Sequence, residues 1–186
     1  MVDVEENERI SQVEIRESVL NDQVIDLYRD FLRKEQAEEA DEKKRLGKDN
    51  LFYQKRADHN SALLSGLKVM KYIKTMSDEG EENSIVHTAW EEGTLVGIEV
   101  TGLDQLRVRG EFIGVTYDHA GSKTALRLLE ARHQKLKELG INEYEALMLN
   151  RTARVLKRLG VDIEAVPEEH LDSIEVFGGS PYLIRI

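Results

Sequence analysis

The chain contains no cysteine, so disulfides, thiolate metal sites and a cysteine nucleophile are excluded. No apolar run approaches the ~20 residues of a membrane-spanning helix. The opening decapeptide MVDVEENERI is acidic, frayed and without an apolar signal core, which points to a cytoplasmic protein that does not engage a membrane. Positive charge is in deficit: 26 Lys+Arg stand against 36 Asp+Glu, and the net charge of −10 argues against non-specific binding to nucleic acid or an anionic membrane. Histidine pairing is lacking too. His59, His87, His133 and His170 read as isolated from one another and from paired carboxylates, and no H-E-x-x-H occurs, so no metal site is expected. The only prolines, Pro167 and Pro181, come late.

What is present is a 186-residue chain, 40% hydrophobic and 33% charged, enough for one domain with its own core. That domain is expected over 11–186. Val13-Glu14-Ile15-Arg16 alternates as a short strand. Asn21 or Asp22 caps a helix whose inner stripe is Val24, Leu27, Tyr28, Phe31 and Leu32. Residues 33–50 are almost wholly charged. They read as a solvated helical extension or a mobile loop, with docking of a protein partner as the functional alternative. A second amphipathic helix over 57–76 turns Leu63, Leu67, Met70 and Ile73 inward. Strands over 85–90 and 94–100 form a hairpin across Glu91-Glu92-Gly93. Gly102-Leu103-Asp104 then turns the chain.

Leu106 to Leu139 reads as strand, polar turn and long helix. The strand carries Val108, Phe112, Ile113, Val115 and Tyr117. The turn is Asp118 to Ser122. The helix repeats through Ala125, Leu128, Leu129, Leu136 and Leu139, and Gly140 closes it. A helix opening on such a turn presents free N–H groups and a positive dipole end, suited to a phosphate. A strand near 144–149, a helix over 151–159 ended by Gly160, and strands over 161–166 and 182–186 complete the order β-α-α-β-β-β-α-β-α-β-β. The class is α+β: a mixed, mostly antiparallel sheet flanked by helices, with a charged helical insertion.

This order resembles the GNAT superfamily of acyl-CoA-dependent N-acetyltransferases over roughly 11–186. Val13 to Arg16 with Asn21-Asp22, Glu92 to Gly97, and Asn150-Arg151-Thr152-Ala153 with Leu159-Gly160 carry the likeness. The family's pyrophosphate turn, Q/R-x-x-G-x-G/A, falls on Ala120-Gly121-Ser122-Lys123-Thr124-Ala125. Ala120 replaces the Gln or Arg, Lys123 replaces the central glycine, and Ala125 fits. The late-helix tyrosine that often serves as general acid falls on Leu156. The turn and its basic helix also resemble acetyltransferase-like internal virion proteins of short-tailed phages.

The resemblance implies acetyl-CoA as cofactor. Backbone groups of the Ile113–Tyr117 strand, among them Val115 and Tyr117, would hold the pantetheine arm and acetyl carbonyl. Gly121, Ser122, Lys123, Thr124 and Ala125 would hold the pyrophosphate, with Asn150 in the late helix. A general base is sought among Glu111, Asp118, His119 and Glu145, with His119 and Glu111 foremost. As a turn residue, His119 equally reads as a helix cap or a solvated side chain. Arg151, Arg154, Lys157 and Arg158 form a solvated basic face or a contact for an acidic partner. Phe177 to Pro181 is a flexible loop or a substrate lid. The departures at Ala120, Lys123 and Leu156 favour a degenerate acyl-CoA site in a non-catalytic binding or assembly protein, cytoplasmic or part of a virion. The alternative is an active N-acetyltransferase acting on an amine.

Overall fold

The computed structural model describes residues 13–78, 83–105, 107–148, 150–158, 160–165 and 180–186. The acidic N-terminal decapeptide, His170 and Phe177 lie outside them. The elements run β1 (Glu14–Ser18), α1 (Asp22–Leu46), α2 (Leu51–Asp78), β2 (Asn83–Glu91), β3 (Thr94–Asp104), β4 (Arg107–Val115), a 3₁₀ turn (Tyr117–His119), α3 (Thr124–Glu138), β5 (Glu143–Met148), α4 (Asn150–Arg158), β6 (Asp162–Ala165) and β7 (Ser180–Arg185). The expected order holds throughout. The charged run from 33 is helical to Leu46, and α2 begins at Leu51, earlier than its apolar stripe indicates.

Local chemistry explains the boundaries. Asn21 caps α1, its Oδ1 accepting from Val24 N–H at 2.9 Å. Glu92 and Gly93 both take positive φ (50° and 76°), so the hairpin turns on two residues rather than three. Gly102 to Asp104 lie inside β3, and the chain turns instead beyond Asp104, with Gln105 at φ 42°. Tyr117 lies in the 3₁₀ turn, two residues past the end of β4. Gly140 ends α3 as expected, with Ile141 N–H returning to Leu136 C=O at 2.9 Å.

Four strands form one sheet in the order β1-β2-β3-β4, and three form a second in the order β5-β7-β6; every pairing is antiparallel. Alternation sends Val86, Val100 and Phe112, which share a register row, to one face, where α1 and α2 lie. There Tyr28, Phe31, Leu63, Met70 and Ile73 close the first core, and the Tyr28 hydroxyl donates to Leu63 C=O at 2.6 Å. Trp90 packs against its margin, with Arg16 over its ring. The next row, His87, Glu99 and Ile113, faces α3. Leu128 seats α3 on Ala89, Val96 and Val115. Leu136 lies in a cluster that joins Ile85 and Leu103 of the first sheet to Tyr144, Ala146 and Ile184 of the second. Each such side chain contributes about 1.5–3 kcal/mol on burial. β4 and β5 are neighbours yet share no ladder, so the sheets splay along the edge of β4.

Candidate functional site

The exit of β4 is the place where the expected cofactor groove and the helical layer meet. Thr116 N–H donates to Val96 C=O at 2.9 Å, so Thr116 points toward β3. Alternation then directs the backbone groups of Val115 and Tyr117 to the free edge of the strand, where an extended ligand would pair. Side chains of this chain already occupy them. His59 of α2 places Nε2 2.8 Å from Val115 C=O; a carbonyl only accepts, so Nε2 carries the proton. Glu35 of α1 accepts from Tyr117 N–H at 3.0 Å.

Arg56 locks this arrangement. The residue is 6% exposed, and its guanidinium stacks 4.5 Å over the Tyr117 ring and reaches Glu38 at 2.7 Å, Glu42 at 3.2 Å, Asp118 at 3.2 Å and Glu35 at 3.9 Å. Burial alone would loosen the Arg56 proton, but the hydrogen bond to Glu38 and the charges of Glu42, Asp118 and Glu35 outweigh it and raise the pKa. Burial pushes the Glu35 carboxyl above its ordinary value, partly countered by Tyr117 N–H. The inward stripe of α1 (24, 28, 31) continues at 35, and that of α2 (70, 63, 60) continues back to 56. The layer that begins as hydrocarbon thus ends as an ion cluster against the β4 exit.

The turn into α3 is different. Ser122 Oγ accepts from Thr124 N–H at 3.2 Å, while no acceptor among the described residues meets the N–H groups of Gly121, Ala125 or Leu126. Gly121 takes φ +84°, which a non-glycine side chain would strain, and open space surrounds it. Lys123 occupies the N-cap position and is exposed. Thr124 is buried, and Ala125 packs against the Val115–Leu128 cluster.

The candidate bases are dispersed. His119 Nδ1 lies 2.8 Å from Thr116 Oγ1, and its Nε2 lies 3.4 Å from Glu91 Oε2, so the ring spans the turn and the hairpin. Glu111 stands opposite Thr101 in β4. Glu145 is in β5, and Asp118 belongs to the Arg56 cluster. Asn150 opens α4. Leu156 packs beside the cluster of Tyr144, Ala153 and Tyr182, so no proton donor stands at that position.

Sequence reasoning missed two constellations. His87 is not isolated: its Nδ1 lies 2.8 Å from Glu99 Oε2, both are buried, and Thr101 Oγ1 donates to the other Glu99 oxygen. The hairpin register, which pairs His87 with Glu99, held that signal. In the Glu35–Arg56–His59 group, Glu35 was hidden in the charged run, while Arg56 and His59 lie on the second helix. Among the described residues no group of three or more potential ligands converges on a metal position, and no helix is long and apolar enough to cross a membrane.

The fold is that of GNAT acetyltransferases. It is similar to a GNAT-family acetyltransferase of Staphylococcus aureus Mu50 (TM-score 0.53, 13% identity, covering 92% of this chain and 99% of that one). It is also similar to the PaiA N-acetyltransferase of Thermoplasma acidophilum, solved with coenzyme A (TM-score 0.52, 13% identity, 94% and 99%). A Streptococcus agalactiae acetyltransferase aligns equally (TM-score 0.52, 13% identity, 94% and 99%). No family model and no curated protein matches the chain. At these identities the likeness is one of fold.

Proposed function

We propose that this chain is a GNAT-fold protein whose acyl-CoA groove is taken up by its own side chains and which works as a non-catalytic binding or assembly protein. One observation carries the reading: Val115 C=O and Tyr117 N–H, the edge groups that would bond a pantetheine arm, are held by His59 and Glu35. A bound arm must break both contacts and displace Glu35, which lies 3.9 Å from the buried Arg56 guanidinium. Lys123 at the central glycine position and Leu156 at the acid position act in the same direction. The setting proposed, on the resemblance to internal virion proteins alone, is a phage particle; mass spectrometry that finds the chain only in cytoplasm, never in purified particles, removes that setting.

Isothermal titration with acetyl-CoA tests the reading. No heat is expected up to about 1 mM ligand, the weak end of specific binding. Micromolar binding that is lost on Gly121→Asp or Ala125→Asp overturns it.

A second reading, an N-acetyltransferase acting on an amine, is favoured by the open amides of Gly121, Ala125 and Leu126. They suit a pyrophosphate at a helix N-terminus. The open amides of the turn support this second reading, whereas Lys123 and the occupied β4 exit support the first. Measured binding would direct a screen of amines, with Glu111 and His119 tested as bases.

A further inference from the structure

No residue from 36 to 55 is buried, although Glu35 and Arg56 on either side are. This part of the α1–α2 hairpin contributes little to the domain core. Its charges are segregated. Glu38, Glu39, Asp41 and Glu42 form an acidic flank, and Lys43, Lys44, Arg45, Lys48 and Lys55 form a basic tip with Asp49 among them; one ion pair, Lys44 Nζ to Asp41 Oδ1 at 3.0 Å, crosses the boundary, and Arg56 reaches Glu38 and Glu42 from below. At the same tip Leu51 and Phe52 are 61% and 66% exposed, among the most exposed large apolar side chains in the described residues. The flank contains a hollow of about 330 Å³ lined by Glu38, Asp41, Glu42, Arg45 and Arg56. Glu42 Oε2 is buried there with no hydrogen-bond donor; Arg56 Nε lies 3.2 Å away but off the bonding line.

We propose that the hairpin is a self-association surface. Two copies pair antiparallel about a two-fold axis, the basic, apolar tip of each lying on the acidic flank of the other, with a tip lysine in the flank hollow. A two-fold interface brings each patch of one copy onto its complement in the other. Acidic flank and basic tip follow one another on a single helix, so reversing the direction of one hairpin matches unlike charges along its length. Phe52 and Leu51 leave water in the same step. The span from 36 to 55 is also what one partner supplies to a standard interface, about 20–30 residues. An anionic membrane is the poorer occupant. The acidic flank follows the tip by about 6 Å along the helix, inside a Debye length of about 8 Å, and would be repelled with it.

The inference does not depend on whether coenzyme A binds. Its test is sedimentation of the full chain across protein concentration. Reversible dimers are expected near about 10 µM in low salt, weakened at least about tenfold in 0.5 M salt, where screening is nearly complete. Phe52→Ser should weaken them similarly, and Lys43→Glu/Lys44→Glu/Lys48→Glu should leave monomers. All four positions are exposed or near the exposed turn, so folding is spared, as circular dichroism will show. Mixing that triple variant with Ala40→Lys/Asp41→Lys should restore a heterodimer. Monomers at every concentration and salt overturn the proposal. So does a dimer indifferent to Phe52→Ser and to tip reversal, or a monomer whose tip instead pellets with phosphatidylserine vesicles.

Discussion

Arg56→Leu is the perturbation that most directly probes the β4 exit. Leucine keeps aliphatic volume and removes the one cation shared by Glu35, Glu38, Glu42 and Asp118. The carboxylates differ in how much that matters. The Glu38 and Asp118 side chains are 39% and 74% exposed and water takes over their charge; such pairs contribute under ~1 kcal/mol. Glu35 is 2% exposed and has no such recourse. Breaking a buried pair costs about 3–5 kcal/mol, and the 3.9 Å separation places this one at the lower end. Loss of the stack on Tyr117 adds about 0.5–1 kcal/mol, offset by the lower cost of burying leucine. The expected net loss is about 3 kcal/mol, read as a urea midpoint shift or a Tm lowered by about 6–12 °C. Glu35 also sets the pH dependence. Its folded-state pKa already lies above the ordinary carboxyl value, so the ionised form is the disfavoured one. Stability linked to Glu35 is fully present below the ordinary pKa and is lost as pH rises through the folded one. Removing Arg56 raises that pKa further, so the deficit should be small near pH 4 and grow toward pH 7. Glu35→Gln keeps an acceptor for Tyr117 N–H and removes the stranded charge; in the double variant at least about 1 kcal/mol should return, as expected for coupled neighbours. A loss below about 0.5 kcal/mol for Arg56→Leu, or no recovery with Glu35→Gln, refutes the clamp.

Three further outcomes are expected. His59→Ala combined with Lys123→Gly frees Val115 C=O and the centre of the turn, so acetyl-CoA should bind measurably by titration calorimetry where the parent chain shows no heat; unchanged silence would mean the groove is closed by something else. Gly66→Ala brings a methyl group into the Phe112 ring, and Gly114→Ala places one 2.7 Å from both Leu63 Cδ2 and that ring; each should cost about 1–3 kcal/mol in chemical denaturation, as overpacking does. Burial, aided by the nearby charges of Arg132 and Lys137, pulls His133 down to about 3, so its imidazole should stay neutral in an NMR titration from pH 8 to pH 4.5; the stability it contributes is present above its ordinary pKa and is lost as pH falls toward 3, and a midpoint near 6.5 would contradict its placement beside Tyr144.

The element order was legible because each element carries its own signal: Asn21 as a cap, Glu91 to Gly93 as a hairpin turn (one residue longer than the turn observed), Gly140 as a helix end. Alternation and helical spacing also named the core, from Tyr28 and Phe31 to Leu128 and Leu136. The ends of β3 and α2 were not legible. Gly102 reads as a turn by residue type, yet pairing with β4 holds it in the strand, and pairing is a tertiary fact. Leu51 and Phe52 begin a helix although they bury nothing in the domain. The candidate site was half legible. The turn's departures at Ala120 and Lys123 stand in the sequence. That Glu35, Arg56 and His59 answer them does not, because charged residues on an inward stripe resemble a solvated face until their partners on a second helix and a distant strand are known.

On the proposed reading, that coincidence bears on how the fold stands without a bound ligand. The splayed edge between β4 and β5 leaves backbone groups unpaired, and an unpaired buried N–H or C=O costs about 1–3 kcal/mol. In a cofactor-binding protein the ligand can satisfy them. Here His59 and Glu35 make those bonds, and the Leu136 cluster joins the two sheets from the opposite face. On the proposed reading, stability is thereby uncoupled from the cofactor, and Lys123 and Leu156 at the family's glycine and tyrosine positions leave no hole in the sheet. On that reading, the helices whose side chains reach the β4 exit extend beyond it as the exposed hairpin, and recognition is expected on α1 and α2 rather than between the strands.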